Sequence, residues 1–202
     1  MPIGFWQYFG VGAPLTLLTM LIGMWWLCAM IFTSESGLTD PGRRDEWDAW
    51  YRGHLAAMVA VPGISSAQRF RALDEGPPPS LAMYSVAAPA VFDSDIYRRT
   101  RGMGPFVAVV DERLHRRNLF EGLEVAPDVP MTGFLLVADR DAGGPIQDGL
   151  VWLRVVGLDR STTYRGIAVL PDLAVAHAMA ERVGAAALYA PITERFEGRK
   201  AG

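Results

Sequence analysis

Cysteine is almost absent from the sequence, and so is any surplus of basic residues. Cys28 is the single cysteine among 202 residues, which excludes an intrachain disulfide and a cysteine-based metal cluster. One thiol is typical of a protein from a reducing compartment, so we expect a cytoplasmic location. The 22 acidic side chains outnumber the 19 basic ones, for a formal net charge of −3. Because nucleic-acid-binding proteins normally carry a clustered basic surplus, this balance argues against a nucleic-acid partner.

Charged residues are also missing from the start of the chain, where none precedes Glu35. The run 15–32 is apolar and long enough to approach the thickness of a bilayer. It lacks the basic start and the small-residue cleavage site of a signal peptide. Three interpretations follow: a membrane anchor, a buried strand at 25–33, or an apolar extension over 1–23 that precedes the true start, since Met20, Met24 and Met30 are in frame.

Strand and helix patterns alternate along the segment 24–125. A helix pattern covers 44–59, with Asp45 and Glu46 in its first turn and Val61-Pro62-Gly63 after its end. Strand patterns follow at 64–73 and 81–87, then interrupted helical stretches at 94–119 and a short strand at 119–125. With 25–33 as the first strand, the order is βαββαβ, the order of a ferredoxin-like unit.

A second set of elements occupies 131–196. It contains three strand patterns, a helix pattern at 173–183 and a closing strand. Between the first two strands lies only 141–148, which is too short and too rich in glycine and proline to form a helix. The sequence therefore predicts an α+β fold in which a ferredoxin-like unit is followed by a second, incomplete ferredoxin-like unit and a flexible tail at 197–202.

Three motifs occur in order in the first unit: Trp50-Tyr51-Arg52-Gly53-His54-Leu55, Val61-Pro62-Gly63-Ile64 and Ala67-Gln68-Arg69-Phe70. Together they resemble the pattern of EthD-like proteins, which belong to the dimeric α/β-barrel superfamily. The resemblance covers about residues 24–125 and is weak beyond Met131. It implies that two ferredoxin-like sheets pack face to face as a barrel, usually across a homodimer and sometimes between fused repeats.

The first motif departs from the family at two places. The family commonly has acidic residues just before the histidine and a proline after the leucine, whereas this chain has Arg52-Gly53 and Ala56 there. A role of those carboxylates therefore cannot be transferred to this chain. Because the family begins close to its first strand, the resemblance favours the strand interpretation of 25–33 over the membrane anchor.

His54 is the leading candidate for chemistry. Trp50 and Tyr51 precede it by four and three residues, so a helix places all three side chains on one side. An imidazole has an ordinary pKa near neutrality and is suited to general acid or base catalysis. The resemblance implies that such a histidine assists aldol cyclisation, lactone isomerisation or cleavage next to a carbonyl. The alternative is a partly buried residue at a helix end that binds backbone carbonyls.

Arg69 and Tyr84 lie on neighbouring predicted strands. If Arg69 faces a cavity, its guanidinium can hold a carboxylate or an enolate, and the Tyr84 hydroxyl can donate to the same oxygen. The alternative is a solvent-facing arginine and an ordinary core tyrosine. Trp50 and Tyr51 are candidates to line an apolar ligand pocket, although aromatic side chains at helical spacing also occur as simple core packing.

The remaining histidines, His115 and His177, are far from His54 in sequence and show no metal-ligand spacing, so neither a metal site nor a cofactor is predicted. His115 lies in a charged stretch that is typical of a solvated helix end. The sequence thus predicts a cofactor-independent cyclase, isomerase or lyase that acts on an apolar carbonyl-bearing or aromatic metabolite, with His54 as acid or base. The alternatives are a non-catalytic binding or assembly module that uses a sheet-to-sheet cavity, and a domain tethered to a membrane through 15–32.

Overall fold

The computed structural model describes residues 29–142 and 149–198. It contains nine strands and three α-helices within those ranges. The strands are β1 Met30–Ser36, β2 Ile64–Ala72, β3 Ser80–Val86, β4 Arg116–Glu121, β5 Phe134–Arg140, β6 Val151–Leu158, β7 Tyr164–Leu170, β8 Ala186–Pro191 and β9 Phe196–Glu197. The helices are α1 Arg44–Val59, α2 Asp95–Thr100 and α3 Leu173–Val183.

Eight of the strands form a closed antiparallel ring. Their order is β3-β1-β4-β6-β7-β5-β8-β2, and β2 pairs in turn with β3. The first and second halves of the chain meet at two seams, where β4 pairs with β6 and β2 pairs with β8. The second half therefore completes the barrel that the first half begins, and ring closure needs no second copy of the chain.

The two halves arrange their strands in the same way. The first half has the order β4-β1-β3-β2, and the second has β8-β5-β7-β6, so in both halves the fourth strand lies next to the first. The first half places α1 between its first two strands. The corresponding connection in the second half runs from β5 to β6, and 143–148 of it lie outside the described residues.

Apolar side chains are packed in three layers. One core lies between α1 and the first-half sheet and includes Phe32, Tyr51 and Leu55. A second fills the space between the two halves of the barrel, where Ile31 contributes. A third lies beneath α3 and includes Ala176. Packed side chains thus fill most of the sheet-to-sheet space that the sequence suggests as a ligand cavity, and a pocket of about 270 Å³ remains beside Glu35, Asp139 and Arg165.

Helix α1 has the bounds that the sequence predicts. A 3-10 turn at Pro41–Arg43 leads into it, and the Asp40 side chain accepts a hydrogen bond from the Gly42 N–H. Asp45 and Glu46 lie in the first turn, where carboxylates interact favourably with the helix dipole. The buried face of the helix packs against β2. His54, in the second half of the helix, lies at the edge of the first core.

The first strand is shifted from its predicted position. The prediction was 25–33, whereas β1 begins at Met30 and ends at Ser36; residues 25–28 lie outside the described residues. Thr33, Glu35 and Ser36 have polar side chains typical of a turn, yet all three are nearly inaccessible. They belong to the strand because the backbone hydrogen bonds with β3 and β4 continue along them, and because the Glu35 carboxylate forms an ion pair with a buried cation.

That cation is Arg165 on β7, which joins the two halves of the barrel. Its guanidinium forms ion pairs with Glu35 of β1 and Asp139 of β5, and donates to the Thr33 hydroxyl at 3.2 Å. Arg165 is 1% exposed and Glu35 is 3% exposed. A charged network of this kind cannot be inferred from an alternation of apolar residues.

The helical stretches predicted for 94–119 are wrong beyond Thr100. Helix α2 is short, a 3-10 turn follows at Gly104–Phe106, and β4 already begins at Arg116 rather than at Leu119. Gly102 and Gly104 both have positive φ angles, which a continuing α-helix does not allow. The chain consequently returns to the sheet earlier than the sequence suggests.

No helix within the described ranges is long and apolar enough to cross a membrane. Of the apolar run 15–32, only the last residues are described, and from Met30 onward they belong to β1.

Candidate functional site

A pocket of about 270 Å³ lies between α1 and the first-half sheet, on the face opposite to the barrel interior. Three sets of side chains line it. Helix α1 contributes Tyr51, His54 and Met58; strands β1, β3 and β4 contribute Phe32, Ser34, Tyr84 and Arg117; and the segment from α2 to β4 contributes Tyr97, Arg98, Arg101, Gly102, Met103 and His115.

Helix α1 holds His54 between two aromatic rings. The Trp50 ring stacks on the imidazole, with 4.9 Å between ring centroids and 13° between planes. The Tyr51 ring lies at 5.4 Å and is nearly perpendicular to the imidazole. The three side chains thus share one side of the helix, as their spacing predicts. Tyr51 and His54 line the pocket, whereas Trp50 supports His54 from behind.

The loop after α2 closes on the far side of Trp50. The Phe106 ring lies 5.6 Å from the Trp50 ring. Gly104 has a φ of +48°, and a Cβ at this position would lie 2.8 Å from the Trp50 ring. A glycine is therefore required both by the backbone conformation and by the close approach of the indole. This packing fixes Trp50, and through it the plane of the imidazole.

Burial, and to a smaller extent the positive charge of Arg69, lower the pKa of His54 from an ordinary value of 6.5 to about 4. The imidazole is therefore neutral at pH 7 and has a free lone pair for a proton. Within the described residues, His54 makes no hydrogen bond to a helix carbonyl. The alternative in which it binds backbone carbonyls at the helix end does not match this arrangement.

Hydroxyl groups form the wall beside His54. The Tyr51 hydroxyl interacts with those of Tyr84 and Ser34. Tyr84 stacks on Phe32 with 5.1 Å between centroids, and Tyr97 adds a third phenol to the lining. Burial raises the pKa of each of the three tyrosines, so their hydroxyls keep their protons and remain hydrogen-bond donors.

Arg69 is not part of this lining. Its guanidinium lies behind Tyr51, 4.1 Å from that ring and 4.4 Å from the Trp47 ring, in two cation–π contacts. It pairs with Asp48 at 2.7 Å and donates to the Ser80 hydroxyl at 3.0 Å. Arg69 is only 1% exposed, so the solvent-facing alternative is wrong. It acts on the pocket through its charge, while its side chain lines a different cavity at the start of α1.

Four lining residues were missed by the sequence analysis or given another place. Arg98, Arg101 and Arg117 were not considered, and His115 was expected at a solvated helix end. The pairing of β1 with β4 places Arg117 and the neighbouring His115 here, because Arg117 lies opposite Ser34 in the register. Arg98 and Arg101 are instead placed by the packing of α2 against α1. In a βαββαβ unit the last strand lies next to the first, and this rule could have placed the start of β4 beside Ser34.

His177 lies on the exposed face of α3, away from the pocket. In the described part of the chain, no group of three histidine, cysteine, aspartate or glutamate side chains is arranged to hold a metal ion. The side chains that the pocket offers are instead a neutral imidazole, phenol hydroxyls and arginines.

Comparison with known proteins gives a fold but no sequence family. No protein-family model matches the sequence, and no curated protein matches it significantly. Among solved structures, a chlorite dismutase-like protein is 12% identical, with a TM-score of 0.53 over 81% of this chain and 95% of that chain. An anthrone oxidase-like protein is 9% identical, with a TM-score of 0.56 over 87% and 95% of the two chains.

A monooxygenase-like protein from Fusobacterium nucleatum is 8% identical, with a TM-score of 0.54 over 86% of this chain and 97% of that chain. The likeness to these structures shows a fold of the α/β-barrel kind that the sequence motifs imply, and the EthD-like resemblance is consistent with that fold. Identities of 8% to 12% carry the fold alone, so the chemistry must be argued from the site.

Proposed function

Because the chain has the fold of the dimeric α/β-barrel superfamily, which includes enzymes, we propose that it is a small enzyme in which His54 moves a proton on an apolar carbonyl-bearing or aromatic metabolite. The observation that carries this proposal is a neutral imidazole that lines a pocket of about 270 Å³ beside protonated tyrosine hydroxyls. A base and hydrogen-bond donors on one pocket are the two parts needed to form an enolate.

The reaction needs only side chains of this pocket. A His54 nitrogen takes a proton from the carbon next to the substrate carbonyl, and the C–H electron pair moves to the carbonyl oxygen. Tyr51 donates a hydrogen bond to that oxygen as it becomes negative, while Tyr84 donates to the Tyr51 hydroxyl. The buried positive charge of Arg69 behind Tyr51 stabilises the same anion.

The fate of the enolate decides the class of reaction. Return of the proton to a different carbon gives an isomerase, and attack of the enolate on a second carbonyl gives a cyclase. The reverse of that attack breaks a carbon–carbon bond and gives a lyase. All three balance without an oxidant or a reductant, and the proposal therefore includes no cofactor.

The architecture of the proposed enzyme is two ferredoxin-like units in one chain, the second of them incomplete. The shared strand order of the two halves supports this division. A homodimer stays part of the proposal, but it would have to use a surface other than the ring seams, which are closed within one chain. A cytoplasmic location is proposed on the single cysteine.

Exchange of carbon-bound hydrogen in D₂O tests the proposal. The probe is 2-tetralone, an aromatic ketone with acidic α-protons, followed by proton NMR with the full chain, with His54→Gln and with His177→Gln as a matched control. We expect the wild type and His177→Gln to accelerate exchange, and His54→Gln to lose about 100-fold or more of that acceleration. Full acceleration by His54→Gln would contradict the proposal.

One observation favours a second candidate, a non-catalytic binding module. An imidazole with a pKa of about 4 is a weak base, and this property suits a site that binds without transferring a proton. This candidate predicts that the probe binds in the pocket while its α-protons exchange no faster than in buffer.

A further inference from the structure

The His54 pocket carries a charge opposite to that of the whole molecule. The chain has a net charge of −3, yet three arginines line the pocket: Arg98, Arg101 and Arg117. We refer to these three side chains as the basic rim. The described residues that line the pocket include no aspartate and no glutamate. A concave surface with charges of one sign favours a ligand of the opposite sign.

Arg117 is only partly paired within the described ranges. One terminal nitrogen pairs with Asp159 at 3.1 Å, and the other terminal nitrogen forms no hydrogen bond with the described residues. The side chain is 33% exposed, so this second nitrogen can donate to an acceptor that a ligand supplies.

The other two arginines of the rim also keep donors available. Arg98 approaches Asp93 and Asp95 only at 3.8 Å and 3.7 Å, and both aspartates are more than 80% exposed, so water screens these pairs. Arg101 is exposed and forms no ion pair within the described part of the chain. The positive charge of the rim is thus only partly compensated by the protein itself.

An apolar region lies next to the rim. Arg117 is opposite Ser34 on β1, and Phe32 lies two residues along the same face of that strand, about 7 Å away at the usual rise. The Phe32 ring, with Met58 and Met103, forms an apolar part of the lining. At about 270 Å³ the pocket is near the lower end of the range for small-molecule sites, which suits one or two rings.

We propose that the pocket selects an aromatic carboxylate, whose rings lie against Phe32 and whose carboxylate is held by Arg101 and Arg117. This inference rests on the proposed function, because it names the substrate class of the same site. A carboxylate accepts several hydrogen bonds at once and matches the planar guanidinium, so it can accept from Arg101 and from the terminal nitrogen of Arg117 that does not pair with Asp159.

Binding of an anion also prepares the base. A negative charge in the pocket offsets the positive field of Arg69 and favours the protonated form of His54. The imidazole consequently becomes a stronger base when the carboxylate is present.

Calorimetric titration of the full chain with two matched ligands tests the inference. The ligands are 2-naphthoate and 2-acetonaphthone, which share the ring system and differ in charge. We expect naphthoate to bind at least about tenfold more tightly, and Arg101→Gln and Arg117→Gln each to weaken naphthoate about tenfold without changing acetonaphthone. Arg52→Gln, which removes an exposed arginine of α1 outside the pocket, should change neither affinity.

Equal affinity for the two ligands would overturn the carboxylate assignment, and so would arginine variants that weaken both ligands alike. Arg101 is exposed and unpaired in the described chain, so its variant keeps the test valid even if Arg117→Gln folds poorly. The exchange assay with 2-tetralone separates the two proposals. If exchange depends on His54 but naphthoate binds no more tightly than acetonaphthone, only the carboxylate assignment is rejected. If naphthoate binds selectively but exchange does not depend on His54, only the acid–base function is rejected.

Discussion

Replacing His54 with glutamine should make the folded protein less sensitive to acid. In the folded state the pKa of His54 is about 4, whereas its ordinary value, which applies to the unfolded chain, is 6.5. Between these two values the unfolded chain binds more protons at this site than the folded chain does. The free energy of unfolding therefore falls as the pH drops through this window, and the loss is complete below about pH 4.

The size of the effect follows from the shift. A shift of this size corresponds to about 3 kcal/mol when complete, and about 2 kcal/mol of it is lost between about pH 7 and about pH 4.5. The pKa of His115 is also lowered by burial, so this residue contributes in the same direction. Because His115 is present in both proteins, its contribution cancels when the wild type is compared with His54→Gln.

Urea denaturation at the two pH values measures this difference. We expect the wild type to lose about 2 kcal/mol more than His54→Gln on acidification, and His177→Gln to behave as the wild type. If acidification destabilises the wild type and His54→Gln equally, burial does not hold the imidazole neutral. The argument that His54 is a neutral base at pH 7 then fails.

Two further substitutions test the packing around the site and between the halves. Gly104→Ala should lower the free energy of unfolding by about 1–3 kcal/mol in urea denaturation, because the new Cβ meets the Trp50 ring and the φ angle is positive. Gly53→Ala is the control, because a Cβ at Gly53 has open space around it. Equal effects of the two substitutions would refute the reasoning. Arg165→Met should lower the free energy of unfolding by about 3–5 kcal/mol, because it leaves the Glu35 carboxylate buried without its partner. Adding Glu35→Gln should restore part of this stability. A double variant that is no more stable than Arg165→Met would contradict the explanation.

In the first half of the chain, local sequence patterns predict an element correctly where a single kind of signal, such as a helix start or stop, determines its bounds. Helix α1 has its predicted bounds because acidic residues begin it and Val61-Pro62-Gly63 ends it. Strand β1 was misplaced because Glu35 is buried by pairing with Arg165, which is far away in sequence. An alternation of apolar residues contains no information on such a pair, so the predicted strand stops at Thr33, before its polar end.

The site was predicted in part for a similar reason. His54 and Tyr51 were found because helical spacing places them together, and Tyr84 because it follows on a neighbouring strand. Arg69 was expected at the ligand but is buried behind Tyr51 among aromatic rings. Arg117 was missed because strand order, rather than sequence distance, brings it to the pocket, and Arg98 and Arg101 because they reach it through the packing of α2 against α1.

Imidazole NMR of the free and ligand-bound chain tests the central claim most directly, because the three histidines divide between the pocket and a distant helix. His54 and His115 line the pocket, whereas His177 lies on the exposed face of α3. On titration with 2-naphthoate we expect the resonances of His54 and His115 to move together while those of His177 stay fixed. Resonances of His54 that do not respond to saturating naphthoate would contradict the account.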